Sequence, residues 1–312
     1  MDLLINGGIM NNNIFIIGLV GNSYFLDTKK LPKKGETIKT FNFREEVGGK
    51  GYNQALVLNR LNANYYFLSS IGNDDGGIKT KEDFNKEQLK GELLVKNDKT
   101  AFAFILTDKF GENIVNLYQG ASLKLKVEDI LDKKEMIENS KVLSLQFEIP
   151  FSCNLEAISI ALEKNVKIII NPAPYNEEYL SLLQFASIIT PNEIEARQIF
   201  KLSDTDPIEE ISNRMKDMNI KEVIVTLGKK GAMHFKDGII TKYDTIKINP
   251  VDTTGAGDTF NAMLCYALAN DFDIDKAIIY ANISASLSTL EKGARGENIT
   301  LERIENIYNE IK

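Results

Sequence analysis

Histidine and cysteine are nearly missing from this chain: its 312 residues carry one His and two Cys. A single histidine excludes a His-cluster metal site and a His-based nucleophilic triad. His234 is instead expected to be a strand residue near the surface. Cys153 and Cys265 lie far apart with no metal-type spacing and no second pair, which excludes a disulfide framework and points to a reducing compartment. Basic excess is also lacking. Lys and Arg number 37 against 44 Asp and Glu, for a net charge of -7, unlike a dedicated nucleic-acid binder. That balance does not exclude one phosphorylated ligand, which needs only local groups. No apolar run reaches the roughly 20 residues of a membrane span. Residues 1–13 are polar and lack the basic and apolar regions of a signal peptide, and Met10 is an alternative start. A cytoplasmic protein without membrane or nucleic-acid partners is expected. What is present, 43% hydrophobic and 26% charged residues, is the composition of a soluble globular protein.

The apolar segments fall into two regimes. Glu36 to Glu46 and Thr100 to Thr107 alternate, and Asn113 to Tyr118 is a short extended run; these read as half-exposed strands of a small antiparallel sheet. Between them the pattern predicts helices over Lys50–Leu61 and near Lys79–Leu89, and a strand over Tyr65–Ile71. The second regime comprises Ile14–Val20 and, from about residue 126, strands at Val142–Phe147, Val166–Ile170, Ser187–Ile189 and Glu222–Thr226, interleaved with helical segments. Lys236-Asp237-Gly238 predicts a hairpin turn. Non-alternating apolar strands separated by helices imply an α/β fold with a mostly parallel sheet covered on both faces. Ligands in such folds bind beyond the carboxyl ends of the strands.

Two motifs sit at such ends. Asp252-Thr253-Thr254-Gly255-Ala256-Gly257-Asp258 is expected to end a strand and open a helix over Ala256–Leu268. Small residues at a helix N-terminus let backbone N–H groups face an anion, and Asp258 would stand where a base takes a proton from a hydroxyl. Alone, such a turn is more often structural, since Asp favours helix starts anyway. The second motif is Gly48-Gly49-Lys50-Gly51-Tyr52-Asn53-Gln54-Ala55, about two hundred residues upstream.

Together these segments resemble the two signatures of the ribokinase-like (PfkB) family of carbohydrate kinases. Further matches follow in order: Pro32 to Thr37, Asn171-Pro-Ala-Pro174, Thr190-Pro-Asn-Glu193 with Glu195, Thr226-Leu-Gly228 with Gly231, and Lys292-Gly293-Ala294. A Walker A loop is absent, so the chain does not resemble P-loop kinases. The resemblance runs from about Ile14 to the C-terminus. It implies one kinase domain over residues 1–312, doubly wound, with a discontinuous β lid over about 24–46 and 92–119. It also implies transfer of the ATP γ-phosphoryl to a hydroxymethyl group of a neutral sugar, ribose or a related pentose or hexose. Carried over by position, Asp258 is the general base and Gly255, Ala256 and Gly257 form the anion hole. Ser23, Gly49, Lys50, Asn53 and Glu148 match the sugar site. Asn192, Thr226, Gly228, Gly231, Gly257 and Asn282 match the nucleotide site, with Glu195 reaching Mg²⁺ through water.

The chain departs from the family in places. Ser23 stands where the family usually has an Asp that binds sugar hydroxyls, with Asn22 next door as a partial substitute. Tyr52 replaces a small residue and is expected to narrow the pocket or stack on a ring. The family's K⁺ loop is matched in part: Asp252 and Thr254 correspond, and Ser288 and Gly293 are compatible through carbonyls. Glu297 replaces a hydroxyl residue and Gly296 a frequent proline, which leaves K⁺ activation open. A nucleoside kinase and a non-catalytic sugar sensor are the alternative readings. Lid strands in this family often pair between subunits, so a homodimer is a further expectation.

Overall fold

The computed structural model describes residues 13–110 and 113–312; the polar stretch 1–12, with Met10, lies outside the described residues. In chain order the first half contains β1 (Ile14–Ile17), β2 (Gly21–Thr28), β3 (Thr40–Gly48), α1 (Lys50–Arg60), β4 (Tyr65–Gly72), α2 (Asp75–Lys86), β5 (Gly91–Lys96), β6 (Ala101–Thr107), β7 (Asn113–Tyr118), α3 (Val127–Leu131), α4 (Lys134–Glu138) and β8 (Val142–Gln146). The second half contains α5 (Phe151–Glu163), β9 (Lys167–Asn171), β10 (Ile188–Ile189), α6 (Glu193–Ile199), α7 (Ile211–Asp217), β11 (Glu222–Thr226), β12 (Ala232–Lys236), β13 (Ile239–Tyr243), α8 (Ala256–Ala269), α9 (Ile274–Ser288) and α10 (Leu301–Ile311).

Nine strands form one sheet in the order β13-β12-β11-β10-β9-β8-β1-β4-β5, parallel except for the β11-β12-β13 edge. The order reverses beside β1, which pairs with both β4 and β8 (Ile17 opposite Leu68 and Leu145). Successive side chains of a strand point to opposite faces. Ile14 and Ile16 accordingly pack with α1, α8 and α9, while Phe15 and Ile17 pack with α5 and α7. Both faces are therefore buried, which is why the strands read as unbroken apolar runs. The predicted hairpin closes between β12 and β13, with both Asp237 and Gly238 at positive φ, the conformation such a turn requires.

A separate four-stranded sheet, β3-β2-β6-β7, stands over the carboxyl ends of the main strands as a lid. Its extent differs from the expected one. Gly21–Thr28 is a full strand that pairs with both β3 and β6, although its mixed polar sequence gives no alternation. β5, which falls inside the expected 92–119 lid segment, instead pairs in parallel with β4 in the main sheet. Half-buried Leu93 and Leu94 hold it there by packing on the core at opposite faces. Helix α2 begins earlier than Lys79 because Asp74 caps it, accepting from Gly77 N–H at 3.0 Å. Residues 244–255, expected to include a strand before the Gly-rich turn, run as irregular chain after β13. No helix among the described residues is long and apolar enough to cross a membrane.

Candidate active site

Two cavities meet at the carboxyl end of the sheet. The larger, about 640 Å³, is lined by Asn192, Thr226, Gly228, Gly231, Asn282 and the 245–250 segment, with the Gly255–Asp258 turn at its end. The smaller, about 340 Å³, lies under the lid and is lined by Ser23, Gly49, Asn53 and Glu148 together with lid side chains such as Phe25 and Leu117. Lys50, Thr253, Gly255 and Asp258 line both. The sequence motifs, scattered over more than two hundred residues, are thus brought to one junction.

The turn at the junction is built from small residues for steric reasons. Gly255 is the N-cap of α8 in a left-handed conformation, φ 75°, and a Cβ there would overlap the Ala294 methyl. Gly257 has ordinary helical geometry, but a Cβ there would meet nothing within 4 Å, because that side of the turn opens on the larger cavity. Helix starts leave N–H groups without intrahelical partners. Here Ala256 N–H is turned to the Thr253 carbonyl at 3.3 Å, a long bond that a phosphoryl oxygen would displace.

Asp258 sits in the first turn of α8 and is buried. Its Oδ2 accepts a 2.6 Å hydrogen bond from Asn53 Nδ2, on the second turn of α1. Burial pushes its carboxyl above the ordinary range, opposed by Lys50 and the Asn53 bond. Glu148 is buried as well and accepts from the Lys50 backbone N–H at 3.2 Å. Its pKa is pushed up to about 7, first by burial and also by Asp258, with Lys50 opposing. Burial works against the Lys50 ammonium, yet Asp258, Glu148 and Glu195 hold it above the usual lysine range. One cation therefore serves three carboxylates. Two buried amide oxygens, Asn22 Oδ1 and Asn53 Oδ1, have no hydrogen-bond partner among the described residues, and both residues line the smaller cavity. Incoming hydroxyl donors would satisfy them.

Beside the larger cavity, Asn192 and Glu195 form a reciprocal capping box on α6, both bonds 2.9 Å. Burial raises the Glu195 carboxyl, and its side chain feels Lys50 and Asp258 without lining either cavity. Asn282 Nδ2 donates to the Tyr243 carbonyl at 3.3 Å beside the larger cavity. Gly228 and Gly231 both have positive φ around a tight turn after β11.

Several expectations fail or need revision. Tyr52 neither narrows the pocket nor faces it: it is fully buried against Phe67, and its hydroxyl donates to Asp83. One residue's offset along α1 turns it about 100° away from Asn53, into the core. Asn22 spends its amide N–H on the Gly76 carbonyl at 3.1 Å, so only its oxygen is offered to the cavity. His234 lies in β12 as expected but is buried, not near the surface, with Nε2 2.8 Å from Glu222. Ser288 keeps its hydroxyl within α9, donating to the Ala285 carbonyl at 2.8 Å, which leaves the expectation for its backbone carbonyl untouched. Asp252 does not stand open: its Oδ1 accepts from Thr254 N–H at 2.9 Å and its Oδ2 from Gly293 N–H at 3.0 Å. Those bonds and Arg44 outweigh burial and hold its carboxyl below the usual range.

Sequence reasoning missed the 245–250 wall, Lys229 and Thr289 of the larger cavity, and Phe102 and Asn113 of the smaller one. The lid positions carry a usable signal in retrospect. Alternate residues of β6 face the cavity or solvent, but the pattern cannot say which set does which.

Comparison with known proteins agrees with this geometry. The pfkB family carbohydrate kinase profile matches residues 11–301. A ribokinase from Staphylococcus aureus (strain COL) is 30% identical over 304 residues, covering 96% of this chain and 100% of that protein. A ribokinase from Haemophilus influenzae is 32% identical over 290 residues, covering 92% and 95%. Among solved structures, ribokinase from Thermotoga maritima superposes with a TM-score of 0.83 at 31% identity, covering 95% of this chain and 99% of that one. Arabidopsis thaliana ribokinase, solved in complex with ribose and ATP, superposes with a TM-score of 0.80 at 26% identity, covering 94% and 97%. With both signatures folded around one junction and a family match over nearly its whole length, the chain belongs to the pfkB family of carbohydrate kinases, ATP-dependent phosphotransferases on the ribokinase-like fold.

Proposed function

We propose that the acceptor is ribose or a closely related neutral sugar, phosphorylated on its hydroxymethyl group with Asp258 as general base. The observation that carries this reading is that Asp258 lines both cavities, one of nucleotide size and one of monosaccharide size. The relatives' names favour a free sugar over a nucleoside. Among the described residues Lys50 is the one cation lining the smaller cavity, which disfavours an acceptor that already carries a phosphate. A sugar sensor would need neither a buried, oriented carboxylate nor an anion-binding turn.

In the reaction the acceptor O–H gives its proton to Asp258 as the oxygen bonds to the γ-phosphorus and the bond to the β-phosphate oxygen breaks. Asn53 holds the carboxylate so that its free oxygen meets the hydroxyl. Lys50 keeps Asp258 ionised in a buried setting that would otherwise favour the acid. The N–H groups of Gly255, Ala256 and Gly257, at the positive end of α8, receive the charge that develops on the phosphoryl oxygens. Among the described residues no three His, Cys, Asp or Glu side chains group to hold a metal. Asn192, which lines the larger cavity, and the Glu195 carboxylate bonded to it offer oxygens suited to Mg²⁺ that keeps its waters and is carried mainly by substrate phosphates, and these two residues would hold it through water. When bound, it neutralises charge across the transferring phosphates.

We also read the chain as one domain of the cytoplasm, its two cysteines free and buried. Dimerisation through the lid is supported by Phe43, Phe104, Ile114 and Tyr118, all exposed there. Long exposed apolar strands are a liability unless covered. A monomer in analytical ultracentrifugation would remove that part.

The activity test is coupled ADP release with ATP–Mg²⁺ against ribose, other pentoses and hexoses, nucleosides and sugar phosphates. Turnover is expected on ribose or a near relative, with Asp258→Asn down by at least about 10²–10⁴-fold and sugar binding retained. Normal ligand binding without turnover on any acceptor would sink the kinase reading, and full activity in Asp258→Asn would remove Asp258 as base.

A further inference from the structure

The loop that the family resemblance offers to K⁺ already faces a fixed positive charge. Arg44 lies on β3 of the lid, opposite Phe25 in the β2–β3 register, with its guanidinium 4.0 Å over that ring. From there it reaches across to the body of the protein: one nitrogen lies 3.5 Å from Asp252 Oδ2, and Nε lies 3.1 Å from Glu46 Oε1. All three side chains are largely shielded from solvent, 28%, 20% and 20% exposed for Arg44, Asp252 and Glu46. Asp252 meanwhile receives the Thr254 and Gly293 N–H groups. It thereby ties the anion-hole turn to the loop whose Ala294 backs Gly255. An alkali ion needs several open oxygens and no adjacent cation. Here both Asp252 carboxylate oxygens already accept N–H donors and a guanidinium stands beside them, so the one charged group of the expected donor set, which would have to anchor K⁺ beside the carbonyls, is already engaged and faces a competing cation.

We propose that Arg44 does the work of a monovalent cation in this kinase: it is a positioning residue whose charge neutralises Asp252, braces the Asp252–Gly257 turn, and frees catalysis from any need for K⁺. A guanidinium suits the task, since it is permanently charged, planar, and able to lie within ion-pair distance of two carboxylates while stacking on Phe25. The inference rests on the kinase reading for its rate measurements, but its unfolding measurements stand without it.

The test compares K⁺, Na⁺ and N-methylglucamine chlorides at one ionic strength, reading kcat, KM for ATP, and thermal unfolding without substrates. Wild-type kcat should vary by less than about twofold among the salts, and its Tm should not respond to K⁺. Arg44→Ala leaves Asp252 and Glu46 without their shared counter-charge. Its kcat in N-methylglucamine should fall by about tenfold or more, with a smaller change in KM, because the turn acts mainly in the transition state. K⁺ should recover most of that loss and raise the variant's Tm, a rescue that a merely structural role would not give. Arg44→Lys should stay independent of K⁺. Stimulation of the wild type by K⁺ of about tenfold would overturn the proposal, as would an Arg44→Ala enzyme with equal kcat and Tm in all three salts. If Arg44→Ala does not fold, the wild-type salt series decides alone. If no sugar is turned over, the kinase reading fails separately, and a wild-type Tm raised by K⁺ over Na⁺ would still refute the role of Arg44.

Discussion

Gly255 and Gly257, in the turn proposed as the anion hole, should respond to the same substitution in opposite ways. Gly255 holds φ 75°, and an added methyl would run into Ala294 on a loop that Asp252 also pins through Gly293. A non-glycine residue in the left-handed region costs about 1–2 kcal/mol, and overpacking a tight contact costs about 1–3 kcal/mol more. Gly255→Ala should therefore destabilise the free protein by about 2–5 kcal/mol, lowering Tm by about 3–8 °C for a chain of this size. Gly257→Ala is the reverse case. Its backbone is helical and its added methyl meets nothing within 4 Å, so folding is not opposed. Alanine is the better helix former by up to about 1 kcal/mol, so Tm should hold or rise slightly. The methyl projects instead into the cavity where the phosphoryl group must approach the turn. Loss of anion-hole contact should lower kcat/KM for ATP by about 10²-fold or more. Thermal unfolding of the ligand-free protein and steady-state kinetics separate the two effects. Wild-type kcat/KM in Gly257→Ala, or a wild-type Tm in Gly255→Ala, would refute the assignment of one face of the turn to the ligand and the other to the fold.

Other expectations follow from the buried charges. Glu148 titrates near 7 in the folded protein and near the ordinary 4.5 when unfolded, with burial as the main cause. Between those values the native state binds more protons than the unfolded state, so this group makes stability fall as pH rises from about 4.5 to 7. Glu148→Gln should therefore raise the Tm of the ligand-free protein more at pH 8 than at pH 5; an equal shift at both would count against a buried, proton-holding carboxyl. Tyr52→Phe removes only the hydroxyl bonded to Asp83, which keeps its 2.9 Å ion pair with Arg295. It should cost about 1 kcal/mol of stability and leave the sugar KM unchanged, so a changed KM would return Tyr52 to the pocket.

The parallel sheet and its helices were legible because burial on both faces leaves unbroken apolar runs such as Ile14–Ile17 and the Ile168, Ile169 and Ile170 stretch of β9. The lid was legible only in part. β2 carries polar and apolar residues without alternation, since one face meets the cavity and the other an exposed aromatic cluster. β5 looks like lid from its length and position, yet its place is decided by pairing with β4, a long-range choice.

The sequence by itself determined the reaction through its family resemblance: either Gly-rich segment alone is more often structural, but the two in the family's order, with the matches between them, mark a phosphoryl-transfer kinase. Only the tertiary structure decided which residues face the ligand. It turned Tyr52 into the core, left the amide oxygens of Asn22 and Asn53 open to hydroxyl donors, and set Lys50 among three carboxylates. It also brought Arg44 to Asp252 across 208 positions of chain. Spacing along a helix or strand fixes what a residue's own backbone does. Charge neutralisation and side-chain direction depend on partners distant in sequence, and only the folded chain brings those together.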